Sequence, residues 1–466
     1  MTAAVLEVRS PWDGRTVGSV PIPDAADVEN AVAAAVAVRA ELAALPAHRR
    51  ASALEQVSQG LAARTQELAR TITDESGKPL TWARAEVRRA VSTFRWAAEE
   101  ARRWSGELQR LDTEAGSEGR LALIRRVPRG PVLAIAPFNF PLNLVAHKLA
   151  PALAVGCPVL LKPAPATPLV AQALAELLAA TDLPAGSWAV LPVGNDVAAA
   201  LVQDPRLPVV SFTGSGPVGW GIRDAVPRKH VTLELGGNAA VVIAPDWGSD
   251  ADLRHAAQRI AAFGTYQAGQ SCISVQRVLC VREHYPTLRR HVLDAVAQLG
   301  TGDPREESTH VGPLIDQTAA RRVQAWVEEA VADGARLLCG GTRTGTTLAP
   351  TVLENVRAGG RLLEEEVFGP VLVLQPVDTL EEAFAAVNAS RYGLQAGVFT
   401  RDLGLAFRAG EELEVGGVIV GDVPSYRADQ MPYGGVKESG RGREGVRAAM
   451  HDLTEEKVLV LTGVRP

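Results

Sequence analysis

The sequence predicts an α/β fold in which a doubly wound parallel sheet is followed by a second α/β unit. The first observation is a series of continuous apolar strands that alternate with helices from Val132 onward. Strands of this kind are typical of parallel sheets that are buried on both faces. The second observation is that the alternation resumes after Asn238, and the third is the length of 466 residues, which favours more than one domain.

The residues before Val132 predict short strands, then helices, then one exposed strand. Residues 1–23 contain turn residues and prolines, whereas stretches rich in alanine and arginine predict packed amphipathic helices at about 24–45, 47–74 and 79–105. Asp24 suits the N-cap of the first helix. Alternating residues at 121–127 predict a strand that could pair across a subunit boundary, and a tail strand at 457–461 has no obvious partner in its own unit.

The alternating part of the chain divides into two sets of elements. The first has strands at 132–136, 159–161, 188–192 and 209–212, with helices at about 142–155, 167–180, 195–203 and 216–225. The second has strands at 274–281, 371–375, 396–400 and 417–421, with helices at about 250–263, 284–298, 316–333, 379–389 and 402–412. Ligands of such sheets bind beyond the carboxyl ends of the strands, where Asn139, Lys162 and Gly214–Ser215 fall.

Composition limits the classes of partner. A formal net charge of −5 without a basic run argues against a nucleic-acid binder. The four cysteines show neither a disulfide framework nor metal-ligand spacing with the eight histidines, so we expect no metal site and reduced thiols in a cytoplasmic protein. We expect no signal peptide and no membrane span, because the most apolar stretch, 149–161, is short and contains two prolines. This stretch is predicted to be core.

Three residues carry the chemistry that the sequence suggests. Cys272 lies among small residues ahead of a β-branched run, but a lone cysteine is more often a small buried hydrophobe than a nucleophile. Glu234 and Asn139 change that balance, because a thiol, a carboxylate and an amide are the groups that attack a carbonyl, activate water and hold an oxyanion. Asn139 would alternatively suit a helix N-cap.

A second interpretation of Glu234 comes from the glycine motif at 214–219. Gly214-Ser-Gly-Pro-Val-Gly219 matches GxGxxG between a predicted strand and a predicted helix, as in dinucleotide-binding folds. Glu234 lies twenty residues beyond Gly214, where such folds place the acid that binds the adenosine ribose. The two roles for Glu234 stay open on the motif alone.

Seven motifs in order resemble those of the aldehyde dehydrogenase superfamily. They are Pro137-Phe-Asn-Phe-Pro141, Leu161-Lys-Pro163, Phe212-Thr-Gly-Ser215, Glu234-Leu-Gly-Gly-Asn238, Gly269-Gln-Ser-Cys272, Glu365-Glu-Val-Phe-Gly-Pro370 and Pro432-Tyr-Gly-Gly-Val-Lys437. The resemblance implies that Cys272 is the nucleophile and that Asn139, with the Cys272 N–H, holds the oxyanion. It implies that Glu234 is the base for deacylation and that Lys148 relays protons near it.

The resemblance also implies a cofactor cleft for NAD or NADP. Its expected lining is Ala136, Phe138, Lys162, Pro165, Gly194, Phe212, Gly214, Ser215, Leu235, Gly236, Glu366 and Phe368. Relatives that prefer NAD often carry a glutamate three residues after the ribose lysine, where this chain has Pro165. Since the carboxylate that would repel a 2′-phosphate is missing, NADP becomes admissible.

The residues that the resemblance places around the aldehyde are Phe140, Asn143, Leu144, His147, Tyr266, Ser271, Ile273, Arg427 and Tyr433. Asn143, His147, Ser271 and Arg427 are polar, whereas relatives that oxidise apolar aldehydes have apolar or aromatic residues at most of the nine positions. Arg427 stands where an aromatic residue is common, and a buried arginine needs a partner such as Asp429 or Asp422, or else an anionic ligand. This pocket favours a small hydroxylated or anionic aldehyde, and the segment resembles lactaldehyde, glyceraldehyde and semialdehyde types of the family.

The resemblance therefore implies NAD(P)-dependent oxidation of an aldehyde to its acid, with a thioester on Cys272 hydrolysed through Glu234. The alternatives are a CoA-acylating semialdehyde dehydrogenase and a catalytically retired binding or structural relative. The expected domains are a Rossmann-type cofactor-binding domain at 1–107 and 128–235, a catalytic domain at 236–447, and a small β oligomerisation element at 108–127 and 448–466. Joining of the two exposed strands across subunits would give a homodimer or a homotetramer.

Overall fold

The computed structural model describes residues 4–464 and contains two large helix-flanked sheets, one three-stranded antiparallel sheet and three two-stranded antiparallel sheets. The helices are α1 (Ala25–Ala44), α2 (Ala47–Ala63), α3 (Thr65–Ser76), α4 (Leu80–Arg103), α5 (Asn143–Val155), α6 (Leu169–Ala179), α7 (Asn195–Gln203), α8 (Gly216–Ala225), α9 (Asp250–Thr265), α10 (Tyr285–Ala297), α11 (Gln317–Ala332), α12 (Arg361–Glu364), α13 (Leu380–Asn388), α14 (Leu403–Glu412) and α15 (Val446–Asp452). The strands are β1 (Val5–Arg9), β2 (Thr16–Pro21), β3 (Glu107–Arg110), β4 (Arg120–Pro128), β5 (Val132–Ile135), β6 (Val159–Lys162), β7 (Trp188–Val190), β8 (Val209–Thr213), β9 (His230–Glu234), β10 (Ala240–Ile243), β11 (Arg277–Val281), β12 (Arg336–Cys339), β13 (Arg343–Thr344), β14 (Thr347–Leu348), β15 (Thr351–Glu354), β16 (Val371–Val377), β17 (Tyr392–Gly393), β18 (Gln395–Phe399), β19 (Gly417–Val420), β20 (Val436–Lys437), β21 (Gly440–Arg441) and β22 (Thr454–Thr462).

The first large sheet has the strand order β21-β9-β8-β5-β6-β7, and all its pairs are parallel except β21 with β9. This confirms the doubly wound α/β fold. The sequence analysis missed β9, in which polar His230, Thr232 and Glu234 alternate with apolar residues. Residues 440–441 were assigned to the catalytic domain, but they pair with β9 at the edge of this sheet. This part of the predicted catalytic domain is therefore hydrogen-bonded to the first large sheet.

The second large sheet has the order β12-β15-β16-β11-β10-β18-β19, in which only β12 is antiparallel to its neighbour. Its central strands are continuous apolar runs buried on both faces, as parallel strands require. Strand β11 begins at Arg277 and not at residue 274. Cys272 therefore lies in the loop that leads into the strand, with room for its side chain to face a cleft.

The predicted helix at 47–74 is wrong in one respect, because it is two helices that meet at Arg64. The Thr65 hydroxyl donates to the Ala62 carbonyl at 2.7 Å, in competition with the helical ladder. The Arg64 guanidinium bonds to Glu67 and Glu176, which ties the break to α6. The first helix is as expected, since Asp24 and Asp27 form a reciprocal capping box.

Two buried glutamates cap α5 and α6, the helices that follow β5 and β6. Neither α5 nor α6 has a side-chain cap of its own. Glu86 of α4 accepts the N–H groups of Leu142 and Asn143 at 2.9 and 3.1 Å, and Glu75 of α3 accepts those of Leu169 and Val170 at 2.8 and 3.2 Å. A carboxylate at a helix N-terminus satisfies orphan donors and complements the helix dipole. The N-terminal helices therefore fix the start of α5, which follows Asn139.

The third sheet corrects the expectation that the two exposed strands lack a local partner. Strand β22 pairs antiparallel with β4 along its whole length, from Thr454 opposite Pro128 to Thr462 opposite Arg120. The earlier expectation failed because the two segments lie more than 300 residues apart. The outer strand is apolar and open, with Val458 and Leu459 each 56% exposed. The domain limits and a homodimer or homotetramer remain predictions.

The core is formed by the faces of both large sheets and their helices. Every residue of α5 is buried, which confirms the core assignment of the apolar stretch at 149–161. Within residues 4–464, no helix combines the length and apolar character that crossing a membrane requires.

Candidate active site

A cleft of about 990 Å³ lies between the carboxyl ends of the first sheet and the loops of the second. Most residues that the sequence analysis proposed for the site line it together: Ala136, Phe138, Asn139, Phe140, Asn143, Leu144, Lys162, Pro165, Phe212, Gly214, Ser215, Glu234, Leu235, Gly236, Tyr266, Ser271, Cys272, Ile273, Glu366, Phe368, Arg427 and Tyr433. Gly194, His147 and Lys148 are not in the lining. The adjacent Asn195 takes the position expected of Gly194, and the other two lie behind the wall.

Cys272 follows a tight turn with an unusual backbone. Gln267 and Ala268 have φ values of 52° and 55°, and Gly269 has a φ of 69°. A side chain at Gly269 would collide with the Gly369 carbonyl, so this position requires glycine. The turn presents the thiol at the cleft, where Sγ lies 2.9 Å from the Tyr433 hydroxyl. Burial raises the pKa of the Cys272 thiol, and the hydrogen bond to Tyr433 opposes that rise.

Asn139 is fixed to the loop that carries Cys272. Its Nδ2 donates to the Gln270 carbonyl at 3.1 Å, and Gln267 Nε2 donates to the Asn139 carbonyl. The N-cap alternative for Asn139 is wrong, because α5 begins four residues later and is capped by Glu86. The Cys272 N–H makes no hydrogen bond within residues 4–464, so an amide and a backbone donor are available beside the sulfur.

Glu234 ends β9 and projects into the same part of the cleft. Neither carboxylate oxygen has a hydrogen-bond partner among the described residues, although the side chain is fully buried. Burial and the nearby Glu444 raise the pKa of Glu234 well above its ordinary value, while Arg427 and Lys148 oppose that rise. A Cβ at Gly434 would lie 2.8 Å from Glu234 Oε1, which places this carboxylate next to Tyr433, the partner of the thiol.

A buried cluster of charges surrounds Glu234. Lys148 Nζ lies 3.3 Å from Glu444 Oε1 and donates to Ser211 at 3.0 Å. Arg427 Nη2 donates to Glu444 Oε2 at 3.0 Å, and its guanidinium lies 3.8 Å from the centre of the Tyr433 ring. The two cations hold the pKa of Glu444 below its usual range despite burial. The negative charge of Glu444 is in turn one cause of the raised pKa of Glu234.

The proposed partners of Arg427 were wrong. Asp422 binds Arg259 through two bonds of 2.7 Å. Asp429 accepts from Arg89 at 2.9 Å, from Asn143 at 3.3 Å and lies 3.1 Å from His147 Nε2. Glu444 was missed because it lies in a loop of glycines and arginines 17 residues after Arg427, where no local pattern signals a contact. His147 supports Asp429 from behind the pocket.

The other end of the cleft offers backbone donors and few charges. Helix α8 begins at Gly216 with Ser215 at its N-cap, and no side chain caps it. A Cβ at Gly214 would lie 2.6 Å from the Phe212 ring, so the chain passes closely over this side chain. An uncapped helix N-terminus at the carboxyl end of a parallel strand suits a pyrophosphate.

The residues expected near the two riboses of a dinucleotide also lie at this end. Lys162 Nζ is 3.4 Å from Asn195 Oδ1, and Pro165 lies beside it in the lining. Glu366 accepts the Gly237 N–H at 3.0 Å, and burial raises the pKa of Glu366 to about 7. A Cβ at Gly236 would lie 2.5 Å from Glu366 Oε2, which explains the glycine. These residues fit a dinucleotide.

Sequence reasoning also missed three cationic groups of the lining. Arg89 of α4, Arg259 of α9 and Arg322 of α11 contribute to the cleft. All three lie in helices that showed only amphipathic periodicity, so their common destination could not be read locally. Within residues 4–464 no group of three His, Cys, Asp or Glu side chains is arranged to hold a metal.

Known proteins match this architecture closely. The sequence model of the aldehyde dehydrogenase family matches residues 2–459. The chain belongs to the aldehyde dehydrogenase family. A 3-sulfolactaldehyde dehydrogenase of Priestia aryabhattai is 41% identical over 99% of this chain and 95% of its own length. The aspartate-semialdehyde dehydrogenase 1 of Pseudomonas canavaninivorans is 40% identical over 98% and 96%.

Solved structures of other aldehyde dehydrogenases show the same fold. The aldehyde dehydrogenase 21 of Physcomitrella patens, in complex with the reaction product succinate, has a TM-score of 0.97 and 44% identity, covering 99% of this chain and 96% of its own. The NADP-dependent glyceraldehyde-3-phosphate dehydrogenase of Bacillus halodurans, complexed with NADP, has a TM-score of 0.94 and 34% identity, with coverage of 99% and 96%. These similarities confirm the family that the seven motifs indicated.

Proposed function

We propose that this aldehyde dehydrogenase oxidises a small anionic or hydroxylated aldehyde to its carboxylic acid with NAD or NADP. The observation that supports this most strongly is the meeting of Cys272, Asn139 and Glu234 at one end of a cleft whose other end fits a dinucleotide. One similar solved structure is complexed with NADP and another is named NAD-dependent, and both support the cofactor class.

The proposed chemistry starts from the Cys272 thiolate, which adds to the aldehyde carbon. The new oxyanion accepts hydrogen bonds from Asn139 Nδ2 and the unoccupied Cys272 N–H, and one such donor contributes about 2.7–4 kcal/mol. The chemistry that a bound nicotinamide supplies is acceptance of a hydride, which leaves a thioester on Cys272. Glu234, whose carboxylate lines the same cleft as Cys272, deprotonates the water that releases the acid.

The part of the cleft that Arg89 and Arg259 line, called the mouth below, supports an anionic substrate. Arg89 and Arg259 each use Nε and Nη2 on an aspartate, and their Nη1 groups make no hydrogen bond within residues 4–464. Their side chains are 29% and 32% exposed. Three cleft arginines, counting Arg427, can therefore offer donors to a carboxylate or sulfonate. Two relatives are named for sulfolactaldehyde and aspartate semialdehyde, and these aldehydes carry a sulfonate and a carboxylate.

Product analysis tests the hydrolytic proposal against CoA acylation. The enzyme is incubated with NADP, a short aldehyde carrying a terminal carboxylate, and coenzyme A in excess. We expect free acid with no acyl-CoA, because Glu234 is present to activate water. Acyl-CoA as the main product would establish the acylating alternative, and no reduction of either cofactor across a panel of short aldehydes would support a retired relative.

A further inference from the structure

Tyr433 is the hydrogen-bond partner of the Cys272 sulfur. Its hydroxyl lies 2.9 Å from Sγ, and this is the only hydrogen bond that the sulfur makes within residues 4–464. The side chain is 4% exposed, so the contact is shielded from bulk water. The Tyr433 hydroxyl has no other partner in that part of the chain, which leaves its proton free for the sulfur.

Arg427 holds the ring in this position. Its guanidinium lies 3.8 Å from the ring centroid and is itself fixed to Glu444 at 3.0 Å. A cation over an aromatic face is attracted by the ring and, by withdrawing electron density, favours donation by the hydroxyl. The pair thus places an oriented O–H donor on the sulfur, with the phenol side chain buried.

We propose that Tyr433 is a catalytic residue that stabilises the Cys272 thiolate by donating its phenolic hydrogen to the sulfur. When the thiol ionises, the S–H bond breaks, the proton passes to water in the cleft, and the phenolic O–H bond stays intact. The sulfur can then only accept, so the direction of the bond is fixed. The inference rests on the proposed nucleophilic role of Cys272 and adds a residue to it.

The test is the titration of the Cys272 thiolate in Tyr433→Phe, which removes the hydroxyl and keeps the ring. Thiolate absorbance is recorded as a difference against Cys272→Ala in the same background. A hydrogen bond to a charged group predicts a thiol pKa higher by about one unit and about tenfold less thiolate at fixed pH. Iodoacetamide alkylation at Cys272, followed by peptide mass spectrometry, should slow only about threefold, because a more basic thiolate is more nucleophilic.

Tyr266→Phe is the matched control. Tyr266 lines the same cleft, and its hydroxyl donates to Ser271, the neighbour of Cys272, at 2.6 Å. The thiolate titration of this variant should superimpose on that of the wild type. A Tyr433→Phe titration that also superimposes, or an equal shift in both variants, overturns the proposal.

The reciprocal measurement does not depend on the folding of Tyr433→Phe. If the sulfur and the phenol interact, Cys272→Ala must also change the ionisation of Tyr433, because coupling between two sites is reciprocal. We expect one tyrosine to ionise at a lower pH in Cys272→Ala, since the thiolate that opposes a second negative charge is gone. Identical tyrosine titrations in wild type and Cys272→Ala contradict the proposal. Both readouts report the interaction between the thiol and the phenol and not turnover, so they stay interpretable even if turnover shows that another residue is the nucleophile.

Discussion

The two ends of the cleft are built in different ways. The dinucleotide end uses strand ends, glycines and the uncapped start of α8, with Lys162 and Glu366 as its predicted ribose contacts. The chemical end brings side chains from distant segments into a buried cluster in which Lys148 and Arg427 face Glu444 and Glu234. Backbone geometry thus makes the dinucleotide end suitable for binding a ligand, whereas the balance of buried charges makes the chemical end suitable for a reaction.

The difference predicts that substitutions at the chemical end have the larger effects. Cys272→Ala should reduce aldehyde oxidation by more than about 10⁴-fold, because it removes the nucleophile on which the later steps depend. NADP affinity, measured by fluorescence titration, should change little, because Cys272 lies away from the α8 N-terminus. Substantial residual oxidation would move the nucleophile to another residue.

The charge at the mouth should affect substrate choice rather than chemistry. Arg89→Gln should raise the KM of a carboxylated aldehyde about tenfold or more, as expected for a lost charged hydrogen bond, with a smaller change for a neutral aldehyde of equal length. Arg322→Gln is the control, since Arg322 donates to the Val367 carbonyl near Glu366 and not to the mouth. Equal KM changes for both aldehydes in Arg89→Gln would argue against an anion site.

The buried cluster predicts a pH effect with a definite sign. Arg427 lowers the pKa of Glu234, so Arg427→Gln should raise it. A base must be deprotonated to act, and activity therefore rises with pH through this pKa. The acid limb of kcat should move upward by about one unit in Arg427→Gln, while that of Arg322→Gln stays in place. A limb that does not move, or moves downward, would mean that Arg427 does not act on the base.

The dinucleotide end should give the smallest change. Pro165→Glu restores a carboxylate beside Lys162, where it can accept from ribose hydroxyls and repel a 2′-phosphate. The ratio of kcat/KM for NAD over NADP should rise by about tenfold, the size of one hydrogen bond to a charged group. Pro165→Gln separates hydrogen bonding from charge. The wild type should use NADP measurably, and its failure to do so at saturation would refute the inference from Pro165.

The features of the molecule also differ in how far the sequence could predict them. The strand ends, Ser215 and the glycines near them were predicted, because local periodicity and turn residues determine them. The partner of Arg427, the caps from Glu75 and Glu86, and the pairing of β22 with β4 were not, because each contact joins segments whose own patterns are silent about it. The pairing of Tyr433 with Cys272 likewise depends on a loop 161 residues away.

Glu234 is proposed to act after hydride transfer and not as the acid that binds the adenosine ribose. Stopped-flow reduction of NADP by Glu234→Gln tests it directly, with a parallel cofactor titration, because glutamine keeps the shape and removes the basicity. If Glu234 is the base for deacylation, we expect one rapid burst of reduced cofactor per active site, followed by a stall at the thioester, with cofactor affinity unchanged. Weakened cofactor binding without a burst would contradict it and return Glu234 to the glycine motif at 214–219.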